Sequence, residues 1–180
     1  SMEIRLMQGD LTKQECDAII NAANKSLQGG GGVDGKIHRK AGEKLREECA
    51  DIIQHDFPQG LPIGEAVITR GYELPAHFVI HTVGPVYDGD DKSHLLASSI
   101  RRSLEVAEEH RLQTVAFPAI STGAYGYPMR EAAEVFKEVF RQFPAKHLKE
   151  VVVCLHKEED LEVFKEVFSD IGHQEGMTPN

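Results

Sequence analysis

NAANKSLQGGGGVDGKIHRKAG, residues 21–42, joins an apolar run to a helical one through four consecutive glycines. Glycine loses the most conformational freedom on folding and buries no side chain, so such a run persists where backbone geometry or close approach of another group demands it. Upstream, DAIIN at 17–21 reads as a strand. Downstream, Ile37, Ala41, Leu45, Cys49 and Ile52 recur at helical spacing, which predicts one helix from Ile37 to Ile52. The amides of the glycine run would gather near that helix's N-terminus, where orphan N–H groups and the helix dipole favour a phosphate. A loose surface loop is the alternative, but Gly-rich linkers carry Ser rather than flanking Asn, Asp and His.

Working outward, runs rich in Val and Ile at 3–8, 65–69, 77–82, 114–118 and 150–155 also read as strands. Several are almost continuously apolar, as strands covered on both faces are. Helical stripes lie between or after them: Leu96, Ile100, Leu104, Ala107; Ala132, Phe136, Val139, Phe140, Phe143; and Leu161, Phe164, Phe168, Ile171. Residues 70–76 are too few for a parallel crossover, so the strands that they join should pair antiparallel. The pattern predicts an α/β fold, a three-layer α/β/α sandwich with a mixed, roughly six-stranded sheet and ligands beyond the strands' carboxyl ends. One domain over 1–180 is expected, with its core at about 3–171 and a frayed polar tail at 173–180.

The 180 residues are 41% hydrophobic and 27% charged, the composition of a globular domain. A net charge of -9 repels a polyanion and argues against a long nucleic-acid groove. No apolar stretch approaches the roughly 20 residues that span a bilayer, so no membrane partner is expected. Cys16, Cys49 and Cys154 are odd in number and widely spaced, which suits small core residues in a reducing compartment, the cytoplasm. Nine histidines form no zinc-spaced cluster, so neither metal nor cofactor is expected.

Gly30, Gly32 and Gly35 match G-x-G-x-x-G, but helix stands where a dinucleotide site needs a second strand ending in an acidic residue. No lysine follows in P-loop register, and no G-x-S-x-G elbow exists. A second loop, AISTGAYGYP at 119–128, offers hydroxyls and amides from Ser121, Thr122, Gly123 and Gly126, with the flat faces of Tyr125 and Tyr127. An ordinary tight turn is the competing reading. Asp34 and His38, four apart, share one side of the helix's first turn. Asp34 is either an N-cap or a water-orienting base with His38 as a donor, and Asn24 has donors and acceptors for sugar hydroxyls.

QGD at 8–10, NAAN at 21–24, GGGGVDGKIHRKAG at 29–42, HTVGP at 81–85 and PAISTGAYGYP at 118–128 together resemble the macrodomain family, in its MacroD-type branch. The resemblance implies an ADP-ribose pocket. In it, Asp10 binds the adenine amino group with Leu11 beside it, and Gly30, Gly31, Gly32 and Val33 form the first diphosphate loop. Ser121, Thr122, Gly123, Ala124, Tyr125 and Gly126 form the second loop, with Tyr125 against the distal ribose, and Asn24, Asp34 and His38 surround that ribose and its attacking water. One departure is Leu155-His156, where many relatives place an aromatic residue over adenine.

The implied activity is removal of mono-ADP-ribose from acidic side chains of ADP-ribosylated proteins and deacetylation of O-acetyl-ADP-ribose. A module that only binds ADP-ribose is the alternative. It would need the phosphate loops but no water-positioning group, so Asn24, Asp34 and His38 favour the enzyme. Binding of RNA ends or poly-ADP-ribose is disfavoured by the net charge.

Overall fold

The computed structural model describes residues 2–171. In chain order the elements are β1 (Glu3–Gln8), a 3-10 turn (Leu11–Lys13), β2 (Ala18–Ala22), α1 (Gly32–Ala41), α2 (Glu43–Asp56), β3 (Ala66–Arg70) and β4 (Phe78–Thr82). There follow α3 (Ser93–Glu109), β5 (Thr114–Phe117), α4 (Met129–Gln142), β6 (Glu150–Leu155), α5 (Glu158–Phe168) and a second 3-10 turn (Ser169–Ile171). The strands form one sheet in the order β1-β6-β5-β2-β4-β3. All neighbours are parallel except β3 and β4, which run antiparallel with Ile68 opposite Ile80, as the short connection between them requires.

Alternation along the strands divides the core into two layers. On β2, Ala18 and Ile20 join Leu104, Phe136 and Phe164 of α3, α4 and α5, while Ile19 joins Ile37 and Leu45 of α1 and α2. All of these side chains are fully buried, and each of the larger ones contributes about 1.5–3 kcal/mol through removal from water. The sheet is thus covered on both faces, which is why its strands read as apolar runs.

The single helix expected from Ile37 to Ile52 is two helices. Gly42 sits at φ 94°, ψ 175°, a conformation open to glycine alone, and its N–H closes α1 on His38 O at 3.1 Å. Ala41 and Leu45 enter the same core on either side of this elbow, so the apolar spacing runs through it unbroken. Phe143 is the C-cap of α4 rather than part of it, and Ile171 lies in the second 3-10 turn. Cys49 and Cys154 are buried and Cys16 is half-buried, all three as free thiols. The polar tail expected to fray lies outside the described residues. No described helix is long and apolar enough to cross a membrane.

Candidate active site

Five parallel strands bring their carboxyl ends to one edge of the sheet. There the loops after β2 and β5 line a cavity of about 310 Å³. A second cavity of about 480 Å³ is lined by Asp10, Leu11, Leu155 and His156, which follow or end β1 and β6. Gly32, Val33, Ala119 and Gly123 border both, so the two are adjoining lobes of one cleft.

The glycine loop is tied from within. Asn24 Nδ2 donates to Gly29 O at 2.8 Å, and Asn24 Oδ1 accepts from Ser26 Oγ at 2.9 Å. Gly35 lies so close to the Gly30 carbonyl that any side chain there would collide with it. A Cβ on Gly31 or Gly32, by contrast, would meet nothing within 4 Å, because their backbone borders open cavity. Gly31 caps α1 and no side chain caps the helix, so its first N–H groups and its dipole are left for an anion in the cleft.

The second loop holds Ser121 at φ 70°, a left-handed conformation rare for a residue with a side chain. Its Oγ is buried without a hydrogen-bond partner among the described residues, while its carbonyl accepts from Tyr127 N at 2.9 Å. Backbone strain of this kind clusters at ligand-binding turns. Ser121, Gly123, Ala124 and Tyr125 line the first lobe and Thr122 the second, with its own hydroxyl turned back to Ala119 O at 2.6 Å. Gly126, at φ 73°, shapes the turn and lines neither lobe.

Asp34 is buried in the wall of the first lobe. Its Oδ1 accepts from Asn21 Nδ2 at 2.9 Å, and among the described residues Oδ2 has no hydrogen-bond partner. Burial raises the Asp34 pKa above the usual 3.8, against the lowering effects of Asn21 and His38. It is not an N-cap, since Gly31 holds that place. His38 lies behind Asp34 on the same helix. Its ring packs under Gly29 and lines neither lobe, with neither nitrogen hydrogen-bonded among the described residues and Nε2 3.6 Å from Asp34 Oδ1. Burial lowers its pKa below 6.5, against the raising effect of Asp34, which favours the neutral ring.

In the second lobe, Asp10 accepts on Oδ1 from Thr12 N (2.9 Å) and Thr12 Oγ1 (2.6 Å), and on Oδ2 from Lys36 Nζ (2.7 Å). Burial would raise its pKa, but these donors bring it down to about 2. One lone pair on Oδ2 remains for a further donor. Leu155 is buried and His156 exposed on this lobe's wall, so no large aromatic ring covers it from the end of β6.

The family model for the Macro domain matches residues 20–136, a span that begins within β2 and holds the glycine loop, Asp34 and the second loop. The chain belongs to the macro domain family. This macrodomain is 51% identical over 160 residues to a Macro domain-containing protein of Methanosarcina mazei, which covers 86% of this chain and 82% of that one. It is 47% identical over 170 residues to ADP-ribose glycohydrolase MACROD1 of Mus musculus, covering 91% of this chain and 51% of the mouse protein, or about half its length. Its fold matches the Oceanobacillus iheyensis macrodomain with ADP at a TM-score of 0.88 and 41% identity, over 92% of this chain and 90% of that one. Sequence reading of this macrodomain missed two site side chains. Asn21 hides in a strand as an apparent structural residue, and Lys36 meets Asp10 only through the fold.

Proposed function

We propose that this macrodomain binds ADP-ribose and hydrolyses its linkage to acidic side chains of proteins, and that it deacetylates O-acetyl-ADP-ribose by similar chemistry. The observation that carries the reading is Asp34, a buried carboxylate with one oxygen held by Asn21 and the other free beside a cavity walled by two amide-bearing loops. The glycohydrolase name of the mouse relative and the ADP bound by the Oceanobacillus iheyensis macrodomain support it.

In this reading the diphosphate lies along Gly31, Gly32 and the second loop, the distal ribose near Asn24 and Tyr125, and adenine in the lobe of Asp10 and Leu11. A water on Asp34 Oδ2 gives up a proton as its oxygen bonds to the anomeric carbon, and the bond from that carbon to the acyl oxygen breaks, releasing the side-chain carboxylate. In deacetylation the water adds to the acetyl carbonyl and the ribose hydroxyl leaves. An aligned general base contributes roughly 10²–10⁴-fold, and a carboxylate whose pKa burial has raised is a stronger base than an exposed one. The free thiols suit a reducing compartment such as the cytoplasm.

The experiment is incubation with a protein carrying mono-ADP-ribose on glutamate. Release of free ADP-ribose is expected. Tight ADP-ribose binding with no release would make the chain a binding module instead.

A further inference from the structure

We infer that Thr69 and His81, which lie outside the cleft, are positioning residues that orient the Asp34 carboxylate through Asn21 by a hydrogen-bond chain of fixed direction. The inference rests on the role proposed above for Asp34. His81 on β4 is fully buried between two partners, with Nδ1 3.1 Å from Asn21 Nδ2 and Nε2 2.9 Å from Thr69 Oγ1 on β3.

The direction follows from Asp34. An ionised carboxylate only accepts, so Asn21 must turn its amide nitrogen to it. The second hydrogen of that nitrogen then points to His81 Nδ1, which has to be the bare ring nitrogen. A neutral imidazole carries its single proton on the other nitrogen, so Nε2–H donates to Thr69 Oγ1. The Thr69 hydroxyl in turn donates to Arg70 O at 3.1 Å. Each donor along the chain has an acceptor, and the unpartnered atom is Asn21 Oδ1, the one that this orientation leaves over.

Burial, with His38 acting in the same direction, lowers the His81 pKa to about 3, so the ring stays neutral. Cys49 Sγ, 3.8 Å from Nε2, is a weaker second partner. With the proton on Nδ1 instead, Asn21 would have to turn its oxygen to His81. A carboxylate oxygen and an amide oxygen would compete for the remaining hydrogens, and the Asp34 bond would be lost. A tautomer thus reaches the cleft although His81 touches no part of it.

Thr69→Val removes the hydroxyl at nearly constant shape, and Thr69→Ser keeps it. Thr69→Val is expected to slow single-turnover release of ADP-ribose roughly ten-fold, the rate equivalent of one net hydrogen bond. Calorimetric affinity for ADP-ribose should be unchanged, and Thr69→Ser should restore turnover. A folded Thr69→Val protein with normal turnover overturns the inference, as does an equal loss of affinity and turnover, the signature of a packing defect. Nitrogen-15 NMR of His81 in the unmodified protein needs neither catalysis nor a variant: protonation at Nε2 supports the chain and protonation at Nδ1 overturns it. If the protein released ADP-ribose from no ester, the functional reading would fall, while the tautomer would still decide the chain.

Discussion

Asn21 on β2 donates its amide to Asp34 on α1 across 2.9 Å, with both residues buried. The bond joins a strand at the centre of the sheet to a carboxylate in the cleft wall, and Asn21 is itself pinned opposite His81 in the β2–β4 ladder. Removing either partner would leave a desolvated polar group, at a cost of about 1–3 kcal/mol. The rigid sheet therefore aims the carboxylate more firmly than the loop beside it could.

Asp34→Asn should separate stability from activity. Burial raises the Asp34 pKa in the folded state, so stability from this site is full below the ordinary 3.8 and is lost as pH rises through the folded value. At pH 7 the ionised side chain is a burden that the amide relieves. The variant should melt higher at pH 7, with the gain shrinking toward pH 4, and release ADP-ribose at least about two orders of magnitude more slowly. Thermal unfolding at both pH values beside single-turnover assays checks this, and undiminished release would remove Asp34 as the base. By the same sign, turnover of the unmodified protein should fall on acidification at a pH above that of an exposed aspartate.

Gly31→Glu should abolish ADP-ribose binding while leaving the fold intact. Gly31 has φ -95°, which any residue adopts, and its Cβ would enter open cavity rather than protein. The new carboxylate would occupy and repel the diphosphate. Calorimetry on the folded variant decides, and retained affinity would move the phosphate site elsewhere.

Ser121→Ala should weaken ADP-ribose binding without costing stability. The Oγ is buried with no partner among the described residues, so its removal breaks no hydrogen bond within the protein. Equal or higher melting with lower affinity is the expected pair of results. A marked drop in melting temperature would mean that the hydroxyl already has a partner.

Asp10→Ala should weaken ADP-ribose much more than ribose-5-phosphate, which has no adenine to meet the free lone pair on Oδ2. Titration of both ligands tests it. Equal losses would detach Asp10 from base recognition and leave it as the partner of Lys36.

Gly42→Ala should destabilise the fold by about 1–3 kcal/mol, since φ 94° with ψ 175° excludes a side chain. Urea unfolding measures the change. A neutral result would show that the elbow between α1 and α2 can relax into one continuous helix.

All six strands were legible because a sheet buried on both faces writes unbroken apolar runs, and the antiparallel β3–β4 pair followed from the length of its connection. The glycine loop and Asp34 were legible because they sit side by side in the chain. What escaped depends on distance: Asn21 with His81 and Asp10 with Lys36 meet through strand register and helix placement, which periodicity does not carry. The elbow escaped because Gly42 breaks the backbone without breaking the apolar stripe.

The pairing of β1 with β6 gives the cleft a history. Glu3 lies beside Glu150, so among the described strands the first in chain order takes its place in the sheet only by pairing with the last. The lobe beside Asp34 is built from the loops after β2 and β5, whereas the lobe of Asp10 and Leu155 needs in addition the residues that follow β1 and end β6, far apart in sequence. A contact so distant in sequence is slow to form. The lobe beside Asp34 can therefore take shape before β1 docks, whereas the lobe beside Asp10 closes only once β1 lies against β6.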